Sequence, residues 1–284
     1  MIAITGASGH LGKATLEFLL AKTNADSLVA IARDPEKVAD LASQGIIVRQ
    51  GDYGDPASLV ASLAGVDKVL LISSSVLGEE RVRQHTNVIN AAKEAGVKHI
   101  FYTSAPNPSP SAHFAPAIDH FQTENLLNES GLTYTIFRNN LYLDVLPGLI
   151  GDAAQSGKLY YPGGDGKISF VLRTDIAEAL ATALTSEGHE NKVYDIGAPT
   201  AWSFGDIARA LSQADKSVEY IDIPNTAYEA ELVKHLPAPV AKVYAGMAEG
   251  IKDNDFNQPD STLEKLLGHQ PVSLESFLKT LALA

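Results

Sequence analysis

Gly6, Gly9 and Gly12 follow the short apolar run Ile2-Ala3-Ile4 at a constant spacing. A turn built on them can bring backbone amides against a pyrophosphate. The first glycine makes a sharp strand-to-helix turn, the second removes the side chain where phosphates approach, and the third lets the next helix pack close to the sheet. Free amides at a helix start favour the negative charge. Ser8, His10 and Leu11 belong to the same turn and join the candidate cofactor site with it. The spacing is GxxGxxG instead of GxGxxG, so its weight comes from its place between a strand and a helix.

Further polar residues stand at the ends of later strand-like runs. Arg33 closes the second, where a carboxylate would receive the ribose hydroxyls of an adenosine. Arg33 and Lys37 can instead hold a 2′-phosphate, the arginine through its bidentate fork. Their alternative reading is an exposed pair balanced by Asp34 and Glu36. NADPH is therefore the preferred cofactor, and Asp34 leaves NADH possible. Asp52, after the third run, can accept from an adenine amino group. Ser73, Ser74 and Ser75 after the fourth and Thr103 after the fifth are placed in the cofactor pocket, with a plain turn role as the alternative for each serine.

The elements that must position these residues alternate. Strands are predicted at Ser27 to Ala32, Ile46 to Arg49, Val69 to Ile72, His99 to Tyr102 and Thr133 to Phe137. Helices are predicted at Lys13 to Leu20, Pro35 to Gln44, Pro56 to Leu63, Arg81 to Ala95 and Asp119 to Glu129. Such alternation predicts an α/β fold, a doubly wound parallel Rossmann sheet covered on both faces. Ala105 to Ala117 carries four prolines and reads as an active-site loop. Gly151 to Gly166 reads as helix followed by turns, Thr174 to Thr185 as helix, and Ser203 as the cap of a helix over Phe204 to Ala214. The predicted organisation is a Rossmann domain over 1–150 and a smaller, interleaved C-terminal substrate lobe over 151–284. A return strand near 193–197 rejoins the first sheet.

Composition narrows the partners. With 284 residues, 45% of them apolar, the chain can bury a large core. Its 34 acidic against 22 basic residues give a net charge of -12, which argues against a nucleic-acid partner. Cysteine is absent, which removes disulfides, thiol nucleophiles and thiolate metal sites. The histidines form no metal set: His113 and His120 lack a third ligand at a suitable spacing. No apolar run reaches membrane-spanning length and no leader pattern opens the chain, so a cytoplasmic protein, monomer or homodimer, is expected.

The chain resembles the atypical short-chain dehydrogenase/reductases of the NmrA-like family. The matching stretches are Thr5 to Gly12, Arg33-Asp34-Pro35-Glu36-Lys37, Gly51-Asp52-Tyr53, Tyr134 to Asn139 and Gly188 to Tyr194. Within that family it is similar to bacterial type-2 NAD(P)H:quinone oxidoreductases and triphenylmethane dye reductases. The resemblance implies an NADPH-dependent reductase passing hydride to quinones or related conjugated acceptors, with Arg33 on the 2′-phosphate. It also implies that Ser73, Asn139, Asn140 and Tyr142 lie at the nicotinamide and substrate cleft. The same family holds NADP-binding regulators, so a redox-sensing protein without turnover is the alternative.

No tyrosine has a lysine four residues on, so the proton-donating pair of ordinary short-chain dehydrogenases is missing. Quinones and cationic dyes tolerate that absence, because a conjugated acceptor spreads the incoming charge before protonation. The catalytic candidates are Asn139 and Asn140 as amide partners of a carboxamide or substrate oxygen, and Tyr142 as aromatic wall or phenolic donor. Their alternative is strand termination and lobe packing. His120 is the fourth, balanced against a role stabilising an exposed helix through Glu124.

Overall fold

The computed structural model describes residues 1–212 and 217–281. Its first half alternates: β1 (Ile2–Ile4), α1 (His10–Leu20), β2 (Leu28–Ala32), α2 (Ala39–Ser43), β3 (Ile47–Gln50) and α3 (Pro56–Ser62). Then follow β4 (Lys68–Leu71), α4 (Glu79–Glu94), β5 (His99–Ser104), α5 (Ala115–Glu129) and β6 (Thr133–Asn139). The second half runs α6 (Leu146–Ile150), α7 (Ala153–Ser156), β7 (Lys158–Tyr160), β8 (Lys167–Ile168), α8 (Arg173–Thr185) and β9 (Lys192–Ile196). It ends with β10 (Trp202–Ser203), α9 (Phe204–Leu211), β11 (Glu219–Ile221), α10 (Asn225–Leu232), α11 (Ala238–Lys252), α12 (Thr262–Leu267) and α13 (Leu274–Leu281).

Seven strands pair in parallel in the order β3-β2-β1-β4-β5-β6-β9. Side chains alternate across this sheet, as the period of two requires. Ile4, Leu28, Ala30, Leu70, Phe101 and Phe137 meet α1, α8 and α12 on one face. Ala3, Val29, Ile31, Val69, Leu71, Ile100 and Ile136 meet α3, α4 and α5 on the other. Burying each large aliphatic chain contributes about 2 kcal/mol, so the two layers fix strand order and register. The sheet is doubly wound, as predicted. Its switch point, where chain connections diverge, lies between β1 and β4, and ligands of such sheets sit at the carboxyl ends of the strands there.

The predicted return strand forms as β9, pairing Thr135 with Lys192 and Asn139 with Ile196. The C-terminal half thus interleaves with the first sheet. A second core of Leu143, Leu146, Tyr161, Ile168, Phe204, Ile251 and Phe256 gathers β7, β8, α9 and α11 beside it. Ser203 caps α9 in a capping box with Asp206, while Ala214, the predicted end of that helix, lies outside the described residues.

Three expectations change. α1 starts at His10, three residues earlier than Lys13, because Gly9 is its N-cap and Gly12 lies inside its first turn. α5 starts at Ala115 with Pro116 in its first turn, where a missing N–H costs nothing. Gly151 to Gly166 contains β7, which pairs with β11, a partner too distant in sequence to be foreseen. No helix among the described residues is long and apolar enough to cross a membrane.

Candidate functional site

The turn after β1 is shaped by its glycines. Gly6 has φ +61°, a conformation that favours glycine, and its carbonyl accepts the Gly9 amide at 2.9 Å. A Cβ on Gly12 would stand 2.5 Å from the Gly6 carbonyl oxygen and 2.9 Å from Ala7 Cα. The helix can therefore lie against the turn only if residue 12 lacks a side chain. Beneath the turn, the Tyr53 hydroxyl bonds Thr5 Oγ1 and donates to the Ile72 carbonyl at 2.7 Å. That phenol links three strand ends.

A cleft of about 260 Å³ opens above this turn, at the switch point. Its lining includes Gly6, Ser8, Gly9, Arg33, Asp52, Ser73, Ser74 and Ser75, the sequence candidates, with Tyr53, Ile72, Val76 and Gln84. Arg33 is exposed and makes no ion pair among the described residues. Asp34 spends one carboxylate oxygen on the Glu36 amide, at 3.2 Å, and caps the turn that carries Lys37. Lys37 is exposed on that turn and does not line the cleft. Asp52 Oδ1 accepts the Gly54 amide at 2.8 Å, which aims its loop across the cleft floor. His10 is exposed at the start of α1, and Leu11 beside it is buried; neither side chain lines the cleft. Thr103 is buried behind the rim, its Oγ1 accepting the Ser73 amide at 2.9 Å.

The remaining candidates lie at the end of β6. Asn139 is buried, and neither its Oδ1 nor its Nδ2 has a hydrogen-bond partner. The Tyr142 hydroxyl lies near that amide without completing a bond to it. Burial raises the Tyr142 pKa, so the phenol stays protonated at neutral pH. The Arg173 guanidinium covers its ring at 5.1 Å. Asn140 is engaged within the protein: its Nδ2 donates to the Phe256 carbonyl at 3.0 Å and its Oδ1 accepts the Leu141 amide at 2.9 Å. It straps the first sheet to the second core.

His120 does not lie on an exposed helix, and Glu124 is not its partner. It is buried where α5 packs on α4 and β5, its Nδ1 2.6 Å from the Tyr102 hydroxyl and its Nε2 3.1 Å from Arg81 Nη2. Burial, then Arg81, holds its pKa well below the usual histidine value. Glu124 instead accepts two bonds from Arg138, at 3.1 and 2.7 Å, and one from Ser104 at 2.6 Å. The i, i+4 spacing placed both on α5, but the sheet and α4 supply better-charged partners. Arg81 is itself buried, its nearest carboxylate, Asp119, 4.0 Å away.

Residues 1–280 match the NmrA-like family. Quinone oxidoreductase 2 of Escherichia coli strain K12 is 42% identical over 276 residues, covering 96% of each chain. The structure of an E. coli NADPH-dependent quinone oxidoreductase in complex with NADPH superposes with a TM-score of 0.94 at 40% identity, over 99% of this chain and 100% of that one. A Citrobacter sp. triphenylmethane reductase complexed with NADP(H) gives 0.92 at 36% identity, over 99% of each. The chain belongs to the NmrA-like family.

Sequence reasoning missed two parts of this family member's site. Tyr53 stood in a quoted motif, but its role depends on β3, β1 and β4 meeting. The Arg81, His85 and Tyr102 cluster behind the rim was also missed. A signal for it existed: Arg81 and His85 fall on the same helical stripe as Val88, Ile89 and Ala92, the buried face of α4. Charged or polar residues on an apolar stripe mark a buried network.

Proposed function

We propose that this chain is an NADPH-dependent reductase that passes hydride to quinones or related conjugated acceptors. The observation that carries the reading is the cleft at the β1/β4 switch point, glycine-floored at Gly6 and Gly9 and bordered by the unpaired Arg33. Agreement in fold with the NADPH complex of a quinone oxidoreductase over nearly the whole chain supports it.

The residues present fit the cofactor. The Gly9 amide is held by the Gly6 carbonyl, and the amides of Ser8, His10 and Leu11 around it, at the start of α1, serve a diphosphate without an intervening side chain at Gly9. Arg33 holds the 2′-phosphate as a fork, and Lys37 adds a more distant charge. Asp52 and Ser73 to Ser75 border the adenosine and the ribose nearer the reacting end. Thr103 serves the site from behind, through Ser73. The free Asn139 amide has one donor and one acceptor side, the complement of a carboxamide. When bound, the cofactor supplies the hydride.

The protein's part is orientation and a dry wall. Tyr142 offers its ring to a flat conjugated acceptor, and its protonated hydroxyl can donate to an acceptor oxygen that gains charge. His120 and Asn140, catalytic candidates from sequence, act here through packing: one inside the buried cluster, the other at the junction of the two cores. Residues 151–284 contribute the substrate side, apart from β9.

The test is acceptor-dependent NADPH oxidation across small quinones, triphenylmethane dyes and azo dyes. The last class is included because an NAD(P)H azoreductase of Xenophilus azovorans is 32% identical over 225 residues, covering 78% of this chain. Turnover with quinones supports the proposal. Tight NADPH binding with no turnover on any class would refute a reductase and favour a sensing protein.

A further inference from the structure

The cleft rim from Ser73 to Val76 is held from behind by two buried acceptors. One is Thr103 Oγ1, at 2.9 Å from the Ser73 nitrogen; the other is His85 Nε2, at 2.9 Å from the Ser74 nitrogen. A backbone amide can only donate, so Nε2 of His85 carries no proton. On the other side of the ring, Thr123 donates its hydroxyl hydrogen to the Asp119 carbonyl at 2.9 Å. Its oxygen is then free to accept from His85 Nδ1, also at 2.9 Å. The hydrogen bonds therefore assign His85 as the neutral tautomer protonated on Nδ1. Burial and the nearby Arg81 hold it neutral, with its pKa pushed down to about 3. Tyr102 closes the ring's edge at 3.5 Å.

His85 is fully buried and has no route to a substrate. Its one contact with the cleft is the Ser74 amide. Ser74 also donates its hydroxyl to Gln84 Oε1 at 2.6 Å, and Gln84, like Ser74, lines the cleft. We propose that His85 is a positioning residue of the cofactor cleft, fixing the Ser74 amide and with it the rim segment in its binding conformation. The inference rests on the dinucleotide reading above. It differs from the Arg33 role in one respect: the rim faces parts shared by NADPH and NADH, so His85 serves both equally.

Two substitutions separate the ring's two bonds. His85→Asn keeps a donor near the Nδ1 position for Thr123 but removes the acceptor for Ser74. His85→Gln places an acceptor near the Nε2 position. NADPH and NADH are titrated calorimetrically into wild type and both variants, with thermal midpoints and steady-state kinetics alongside. His85→Asn should weaken both cofactors by a similar factor, on the order of tenfold, and raise the KM for NADPH with kcat nearly unchanged. His85→Gln should restore most of the affinity. Equal losses in the two variants, or wild-type affinity in His85→Asn, would overturn the inference. Hydrogen exchange in wild type gives a check free of substitution: a rapidly exchanging Ser74 amide would overturn it too. Wild-type protein that binds neither cofactor would remove the dinucleotide reading and this inference together.

Discussion

The cleft and the cluster behind it share the Ser73–Gly78 segment but treat polar groups in opposite ways. Among the described residues, Arg33 at the cleft makes no ion pair and the buried Asn139 amide at the end of β6 has no hydrogen-bond partner. In the cluster, His85, His120, Tyr102 and Thr123 occupy one another within hydrogen-bond distance, and only Arg81 Nε is left over. Unmet polar groups cost the fold free energy, and satisfied buried ones fix its geometry. The difference separates residues kept for a ligand from residues that shape the place where it binds. Substitutions in the cluster should therefore move stability, and at His85 also the binding that depends on the Ser74 amide, whereas those at the ligand-facing groups should move binding with little loss of stability.

The largest expected effect on stability comes from acid. His85 and His120 are neutral in the fold, with pKa values below the unfolded value of 6.5. As pH falls below 6.5 the unfolded chain takes up protons that the fold refuses, so stability declines until the folded pKa is reached, about 3 for His85. His85 contributes about 1.4 kcal/mol per pH unit over this range, or about 2 kcal/mol from pH 6.5 to 5, and His120 shifts stability in the same direction. Asp119, whose pKa burial raises, offsets part of this. Urea unfolding at a series of pH values measures the slope, and His85→Gln should flatten it. An unchanged slope would break the comparison on the cluster side.

Gly12→Val comes next. Its side chain would meet backbone atoms of Gly6 and Ala7, and overpacking of this kind costs about 3 kcal/mol. A lowered urea midpoint together with lost cofactor binding is expected, since helix and turn move together. Asn139→Leu should change stability less and in the other direction. Removing an unpaired buried amide should stabilise the fold by about 1 kcal/mol, while turnover with a quinone falls about tenfold. A destabilised variant would mean that the Asn139 amide already has a structural partner.

The first half of the fold was legible because its strands and helices are long enough to show their periods. The return strand was legible from Val193 to Ile196 alone. In the second half α8 and the Ser203 cap of α9 were legible as well, but β7, β8, β10 and β11 are two or three residues long, too short for alternation to register. In the site, the glycines and Arg33 could be read locally, since a turn and the end of a strand are local features. Gly12 was read as the glycine that lets the next helix pack close to the sheet; its place inside α1, against the Gly6 carbonyl, is a contact that only the packed fold reveals. His120 was paired with Glu124 on helical spacing, but partners from other elements, Tyr102 and Arg138, won. Long-range partners of that kind leave no pattern in a single chain.

Arg33→Ala carries the smallest expected effect on folding, and it tests the central claim most directly. Exposed and without an ion pair among the described residues, Arg33 should contribute less than about 0.5 kcal/mol to stability. A forked charged contact with a 2′-phosphate contributes roughly 1.5–3 kcal/mol to binding, so NADPH affinity should fall roughly 10–150-fold. NADH affinity and the thermal midpoint should stay near their wild-type values. Calorimetric titration of both cofactors into wild type and Arg33→Ala, with a melt of each, reads all three at once. Equal, small changes for NADPH and NADH, or a lowered midpoint, would contradict the account.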